Sequence, residues 1–120
     1  MTVHQYEIWV ADLNPRVGTE PGKTRPVVIL QTDFLNEISH PSTLICPITT
    51  NVKKEARILR VHIEKGVAGV HQSCDIMMDQ IRAIDNKRLS KKIGRLPAQL
   101  IESLKENLMI LFDIEIASTH

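Results

Sequence analysis

The sequence predicts a mainly β fold with some α: a small curled sheet, or partial barrel, of short strands with a C-terminal α-helix closing one side. Three observations carry that expectation. Short β-branched and apolar runs of strand length recur from residue 7 to residue 84, separated by Gly- and Pro-bearing turns. One longer segment near the end places Leu100, Leu104, Leu108 and Leu111, with Ile101, along a single helical stripe. At 120 residues, 42% hydrophobic and 24% charged, the chain has the make-up of a globular protein with one modest core, so a single domain over residues 1–120 is expected.

The elements follow in order. Residues 7–12, Glu-Ile-Trp-Val-Ala-Asp, read as a strand stopped by the turn signal Leu13-Asn14-Pro15. Residues 16–24 mix charge with Gly18, Pro21 and Gly22 and read as a loop. Pro26-Val27-Val28-Ile29-Leu30-Gln31 is apolar throughout, which predicts a strand buried on both faces. Asp33 is placed to cap a short helix running through Ile38. Residues 43–49 form another apolar strand, and Pro47 within it argues for an edge position or a bulge. A strand over 59–63 and a loop at Gly66 and Gly69 come next, then one or two strands over 74–84 with a bend near Gln80. The helix spans about 97–112, with Pro97 suited to its first position.

The formal net charge of +1 provides no overall field toward nucleic acid or a membrane. Residues 82–95 nevertheless hold six basic side chains (Arg82, Lys87, Arg88, Lys91, Lys92, Arg95) against one acid, Asp85. That window is either a solvated turn and helix surface or a local basic face. Cys46 and Cys74 both sit in apolar segments, as small buried hydrophobes of a reducing compartment would. The N-terminus lacks the basic start and apolar stretch of a signal peptide, and no apolar run reaches membrane-spanning length. A cytoplasmic protein without membrane association is expected.

No Gly-rich phosphate loop, Gly-x-Ser-x-Gly motif or paired His/Cys ligands occur, so neither cofactor nor metal is expected. The histidines His4, His40, His62, His71 and His120 are scattered and read as surface residues. His62 alternates with Val61 and Ile63 toward the open face of a strand, and His71, in a glycine-flanked loop, is the best functional candidate among them. Aromatics at 3% are too few for a base-stacking platform. Two features stand out. Arg25 follows the loop Gly18-Thr19-Glu20-Pro21-Gly22-Lys23-Thr24 at the mouth of a buried strand, where its permanent charge needs an anion. An internal carboxylate such as Glu20 or Asp12 and a ligand phosphate are equal candidates on spacing. Pro47-Ile48-Thr49-Thr50-Asn51 gathers hydroxyls and an amide where an apolar strand ends, as turn chemistry or as donors toward a ligand oxygen.

These residues also carry a resemblance. Ile8-Trp9-Val10-Ala11-Asp12-Leu13-Asn14-Pro15, Gly18-Thr19-Glu20 and Gly22-Lys23-Thr24-Arg25-Pro26-Val27-Val28-Ile29 resemble the N-terminal signature of the MazF/PemK toxins. Asn36, Ser42-Thr43, Pro47-Ile48-Thr49, Asp79-Gln80-Ile81-Arg82-Ala83-Ile84-Asp85 and Arg88-Leu89 follow in family order, so the match covers residues 6–114. Cys74-Asp75 departs from the pattern, since many relatives carry serine followed by an apolar or aromatic residue.

The resemblance implies an SH3-like curled barrel (MazF/PemK/CcdB-like) and a homodimer with single-stranded RNA lying across its interface. It implies metal-independent, sequence-specific cleavage by the RNA's own 2′-hydroxyl, leaving a 2′,3′-cyclic phosphate and a 5′-hydroxyl. Arg25 and Thr49 fall on the family's catalytic pair, with Glu20 a loop acid beside them. Arg16, Thr19, Lys23, Thr24, Thr50, Asn51, Gln80 and Arg82 are the candidate substrate-binding residues, with recognition carried by loops 16–24 and 51–57. A cognate antitoxin with an acidic, disordered C-terminal segment is the implied inhibitor, its landing surface the 82–95 window and the loop around Arg25. Two alternatives share the fold: a non-catalytic gyrase poison of the CcdB type, and an inactive RNA- or antitoxin-binding module. The first relies on a C-terminal tryptophan region, whereas residues 113–120 hold no tryptophan.

Overall fold

A computed structural model describes residues 2–56 and 58–115; residue 57 of the second recognition loop and His120 lie outside the described residues. Seven strands and two α-helices are present among them: β1 (Glu7–Asp12), β2 (Thr24–Ile29), α1 (Asp33–Glu37), β3 (Ser42–Thr49), β4 (Arg60–Ile63), β5 (Cys74–Met77), β6 (Arg82–Asp85), β7 (Leu89–Arg95) and α2 (Ala98–Phe112). The sheet runs β4-β5-β3-β2-β1-β7, with β6 also pairing β3, and every pairing is antiparallel. It is a curled sheet rather than a closed barrel, because no ladder joins β4 to β7.

The apolar runs dictate where the core sits. In β1, β2 and β3, alternate side chains fill two separate clusters, one on each face of the sheet. Ile8, Val28, Cys46 and Ile48 pack with Ile63, Ile76, Met78 and Leu104. Trp9, Val27, Ile29 and Ile45 pack on the other side with Leu13, Ile84 and Leu89. This is the two-sided burial expected of the second strand, since a run without polar alternation has no face to give to water. Leu104 anchors α2 and is fully buried, worth roughly 1.5–3 kcal/mol of transfer free energy. Leu100, Ile101 and Leu108 are partly buried against the same cluster, so the predicted stripe is the helix's core face.

Four local expectations need correction. Residues 89–95 are not helix surface but β7, an edge strand whose Lys91 and Lys92 keep it soluble while Leu89 turns inward. Its polar pattern hid it, as an edge strand needs only part of one face apolar. Pro47 lies neither at an edge nor in a bulge. It pairs with Val27 of β2, and on its other side β3 changes partner, from β6 over Ser42–Ile45 to β5 over Ile48–Thr49. The N-cap of α1 is Thr32, while Asp33 accepts from the Gln5 amide at 2.7 Å and from Asn36 Nδ2 at 3.1 Å. Pro97 is the N-cap of α2 rather than its first helical residue, which its extended ψ of 161° requires.

The curl is completed by backbone contact. Gly69, at φ +85°, lies so close to β7 that an added Cβ would stand 2.0 Å from the Ile93 carbonyl oxygen. A Cβ on Gly94 would stand 1.9 Å from the Ala68 carbonyl oxygen. Two glycines thus let the 66–70 loop seat against the edge strand. Among the described residues no helix is long and apolar enough to cross a membrane.

Gly94→Ala is therefore expected to destabilise the fold by at least ~2 kcal/mol, because the new methyl meets backbone that cannot swing away. Urea unfolding checks this, and a midpoint equal to that of wild type would refute the close approach.

Candidate active site

The β2–β3 register aligns Val27 with Pro47, and continuing it by two residues sets Arg25 across from Thr49. Across β1, Arg25 faces Ala11, a small buried residue that leaves room for the guanidinium. The half-buried Arg25 donates from Nε to the Gly22 carbonyl at 2.9 Å and from Nη1 to the Ile48 carbonyl at 3.2 Å. The carboxylate alternative is not realised. Asp12 accepts from the Asn14 amide at 3.0 Å, and Glu20 lies 3.9 Å from Arg82 Nη1. Among the described residues Arg25 has no anionic partner. Burial, and then the charge of Arg16, lower its pKa from the ordinary arginine value; the group still keeps its proton.

Thr49 ends β3. Its Oγ1 accepts from the Asn51 amide at 3.1 Å, so the hydroxyl hydrogen is free to point elsewhere. Two cavities meet at this pair. One, of about 450 Å³, is walled by Lys23, Thr24, Arg25, Thr49, Thr50 and Asn51, with His71 and Gln72 opposite. The other, about 420 Å³, is walled by Arg16, Thr19, Glu20, Lys23, Arg25, Thr49 and Asn51. Together they form a groove passing over Arg25 and Thr49. Nine of the eleven sequence-predicted site residues line it. Gln80, in the 3-10 turn Met78–Gln80, and Arg82, at the start of β6, line neither cavity. Arg82 reaches the groove only through Glu20, and its Nη1 is buried without a hydrogen-bond partner. His71 joins the groove because the loop seated by Gly69 carries it there, and the sequence could not fix that placement. Gln72, which the sequence did not single out, arrives by the same loop.

Cys46 and Cys74 are buried as expected, and burial pushes their thiols up to about 12 and about 11. Among the described residues no group of three or more His, Cys, Asp or Glu could hold a metal ion.

Residues 4–112 match the model of the PemK-like, MazF-like toxins of type II toxin–antitoxin systems. The chain belongs to that family. It is 34% identical over 110 residues to Endoribonuclease EndoA of Bacillus subtilis, covering 92% of this chain and 94% of the relative. The Mycobacterium tuberculosis toxin MazF-mt6 superposes with a TM-score of 0.75 at 27% identity, over 92% of this chain and 99% of that one. MazF in a MazE–MazF crystal structure from Deinococcus radiodurans superposes with a TM-score of 0.76 at 19% identity, over 96% and 100%. The MazF/PemK assignment made on motif order therefore holds, and the curled sheet with its C-terminal helix is the MazF fold.

A second polar cluster lies beside the groove of this MazF-like chain. His62 lies on the open face of β4, as its alternation with buried Val61 and Ile63 predicts, and two carboxylates hold it there. Its Nδ1 is 3.0 Å from Asp75 Oδ1 and its Nε2 3.0 Å from Glu64 Oε1. The Asp75 hydrogen bond, opposed by burial and aided by Glu64, raises the His62 pKa above its ordinary 6.5. A raised pKa means that the folded state holds this proton more tightly than the unfolded chain. The stabilisation is then complete below 6.5 and is lost as pH climbs through the folded value. Thermal unfolding followed from about pH 5 to about pH 9 is expected to show that loss in wild type and not in His62→Gln. Parallel curves for the two proteins would refute it.

Proposed function

We propose that the chain is a toxin endoribonuclease that cleaves single-stranded RNA at the Arg25–Thr49 groove without a metal ion. One observation carries the reading: Arg25 is half-buried, held by two carbonyl oxygens, and lacks a carboxylate partner among the described residues. A fixed cation left uncompensated beside a free hydroxyl is suited to the non-bridging oxygens of a phosphodiester. Nε and Nη1 are anchored, and Nη2 makes no protein hydrogen bond among the described residues. Family membership and the likeness to EndoA support the reading.

The chemistry follows from these groups. The 2′-oxygen attacks the adjacent phosphorus, the P–O5′ bond breaks, and a 2′,3′-cyclic phosphate and a 5′-hydroxyl result. Negative charge grows on the non-bridging oxygens as this proceeds. Arg25 Nη2 and the Thr49 hydroxyl donate there, and preorganised donors of this kind are worth ~2.7–4 kcal/mol each. Glu20, a half-exposed carboxylate on the same groove, takes the 2′-hydroxyl proton, and solvent reprotonates the departing 5′-oxygen. A guanidinium that keeps its proton cannot be that base. Arg16, Thr19, Lys23, Thr24, Thr50 and Asn51 hold the strand on either side. Arg82 acts by supporting Glu20.

The acting form is a homodimer of a single toxin domain in the cytoplasm. The outward Ile110, Phe112 and Ile114, each more than half exposed near the end of α2, favour a protein partner there. An antitoxin with an acidic C-terminal segment restrains the enzyme. Of the basic window, Lys92 is committed to Glu7 at 2.8 Å and Arg95 donates to the Gln5 carbonyl at 2.9 Å. Lys87 and Lys91 are exposed and make no ion pair among the described residues, so they are the cations of the window most available to such a segment.

Arg25→Ala is expected to lower kcat by at least ~100-fold with the fold retained, and Arg25→Lys to remain poor because an ammonium lacks the planar fork. Mapping cleaved ends of a long RNA checks this, and near-wild-type turnover by the Lys variant would sink the bidentate model. The same cleavage is expected to persist in excess EDTA; loss there, with recovery on adding a divalent ion, would overturn the metal-free mechanism. RNA and antitoxin are expected to compete, and Lys91→Glu to slow antitoxin association most at low salt. Association rates unchanged across a salt series would make the window a solvated surface.

A further inference from the structure

The segment over residues 50–56 lies next to the groove and is neither strand nor helix. Within it only Val52 to Thr50 and Ala56 to Lys53 form backbone hydrogen bonds. Its shape is held from outside, by a carboxylate. Asp75 sits in the apolar strand β5, between Cys74 and Ile76, at 1% exposure. In the β3–β5 register it stands opposite Thr49, and in the β4–β5 register opposite His62. Asp75 Oδ2 accepts from the Lys53 amide at 2.9 Å and from Arg60 Nη1 at 3.3 Å. Arg60 Nη1 also donates to the Asn51 carbonyl at 3.1 Å, and the Asn51 amide donates to Thr49 Oγ1 at 3.1 Å. A continuous path therefore leads from a buried charge to the hydroxyl that faces the groove.

We propose that Asp75 and Arg60 are positioning residues for RNA cleavage: they clamp the Asn51 carbonyl and the Lys53 amide, and so fix the Asn51 amide that orients the Thr49 hydroxyl. The inference rests on the reading of Arg25 and Thr49 as the phosphate site. Burial gives the clamp its rigidity. A carboxylate removed from water requires its donors, so a loop that leaves Asp75 strips Oδ2 of the Lys53 amide at a cost. The Arg60 guanidinium supplies one nitrogen to two acceptors, Asp75 and the Asn51 carbonyl, which ties the loop to the sheet at a second point. Neither residue lines the groove, and neither touches the phosphate site. Their effect is on where Thr49 and Asn51 stand, and a misplacement of ~1 Å near the chemistry costs on the order of 100-fold in rate.

The test uses the full chain, a long single-stranded RNA, and an oligonucleotide spanning its main cleavage site with a 2′-deoxy sugar there to block reaction. Arg60→Met, Asp75→Asn and Asp75→Val are compared with wild type at a temperature where circular dichroism shows each fully folded. Expected are a kcat lower by ~10-fold or more, binding of the blocked oligonucleotide changed by less than ~3-fold, and faster amide exchange at Asn51 and Lys53. A merely structural role would lower the melting temperature and leave kcat of the folded protein intact. Should Asp75→Val fail to fold, the near-isosteric Asp75→Asn and the sheet-edge Arg60→Met carry the same comparison. Folded Arg60→Met and Asp75→Asn with kcat within ~2-fold of wild type would overturn the proposal. Thr49→Val and Arg25→Ala are run alongside. If both cleave like wild type, the site reading itself is wrong and the proposal falls with it. If they are impaired and the Asp75 and Arg60 variants are not, only the clamp is refuted.

Discussion

A proline sits where the longest strand of this protein changes partners, and the rest of the structure depends on that corner. On one side of β3, Pro47 keeps register with Val27. On the other, pairing with β6 ends at Ile45 and pairing with β5 begins at Ile48. A residue without an amide hydrogen is tolerated in a strand interior where no ladder bond is asked of it. The change of partner turns one sheet into two directions, which is how seven short strands enclose a core on each face. The β2–β3 ladder stops at the Val27–Pro47 pair, where the next residue of β2, Pro26, has no amide to give, and beyond it Arg25 Nη1 donates to the Ile48 carbonyl.

The sorting of cations follows from that geometry. Lys92 is matched to the buried carboxylate of Glu7, which accepts in addition from Trp9 Nε1 at 3.0 Å and from the His4 amide at 2.8 Å. Burial alone would raise the Glu7 pKa, but these donors outweigh it and hold it below the ordinary value. Arg88 is spent on the Asp12 and Asn14 carbonyls at 2.9 and 2.6 Å, pinning the turn that leads into the 16–24 loop. Arg60 is matched to Asp75. Arg25 is held by carbonyl oxygens as Arg88 is, but it stands in a groove beside the Thr49 hydroxyl, and among the described residues it has no anionic partner. That setting, rather than the lack of a carboxylate alone, is what suits it to an anion.

Much of this was legible in the sequence, because the signals were local. Unbroken apolar runs specify doubly buried strands wherever they end up, and the leucine stripe specifies the core face of α2 from its own spacing. The turn residues before Arg25 and after Thr49 place both side chains at strand ends, and the order of motif blocks identifies the family. What the sequence misread was fixed by neighbours distant along the chain. β7 is polar enough to pass for helix surface and exists as a strand only because β1 offers it an edge. Pro47 reads as an edge or bulge residue until β5 and β6 are seen to divide β3 between them. Asp75 looked only like a motif departure, and no local pattern showed that it would be a buried carboxylate bonded to His62 on the open face of β4. The sequence by itself thus determined the elements, the family and the side chains available for chemistry. Only the tertiary structure decided which charges are spent on the fold. Pairing between groups 15 to 90 residues apart is a matter of distance in space, and no local pattern encodes it.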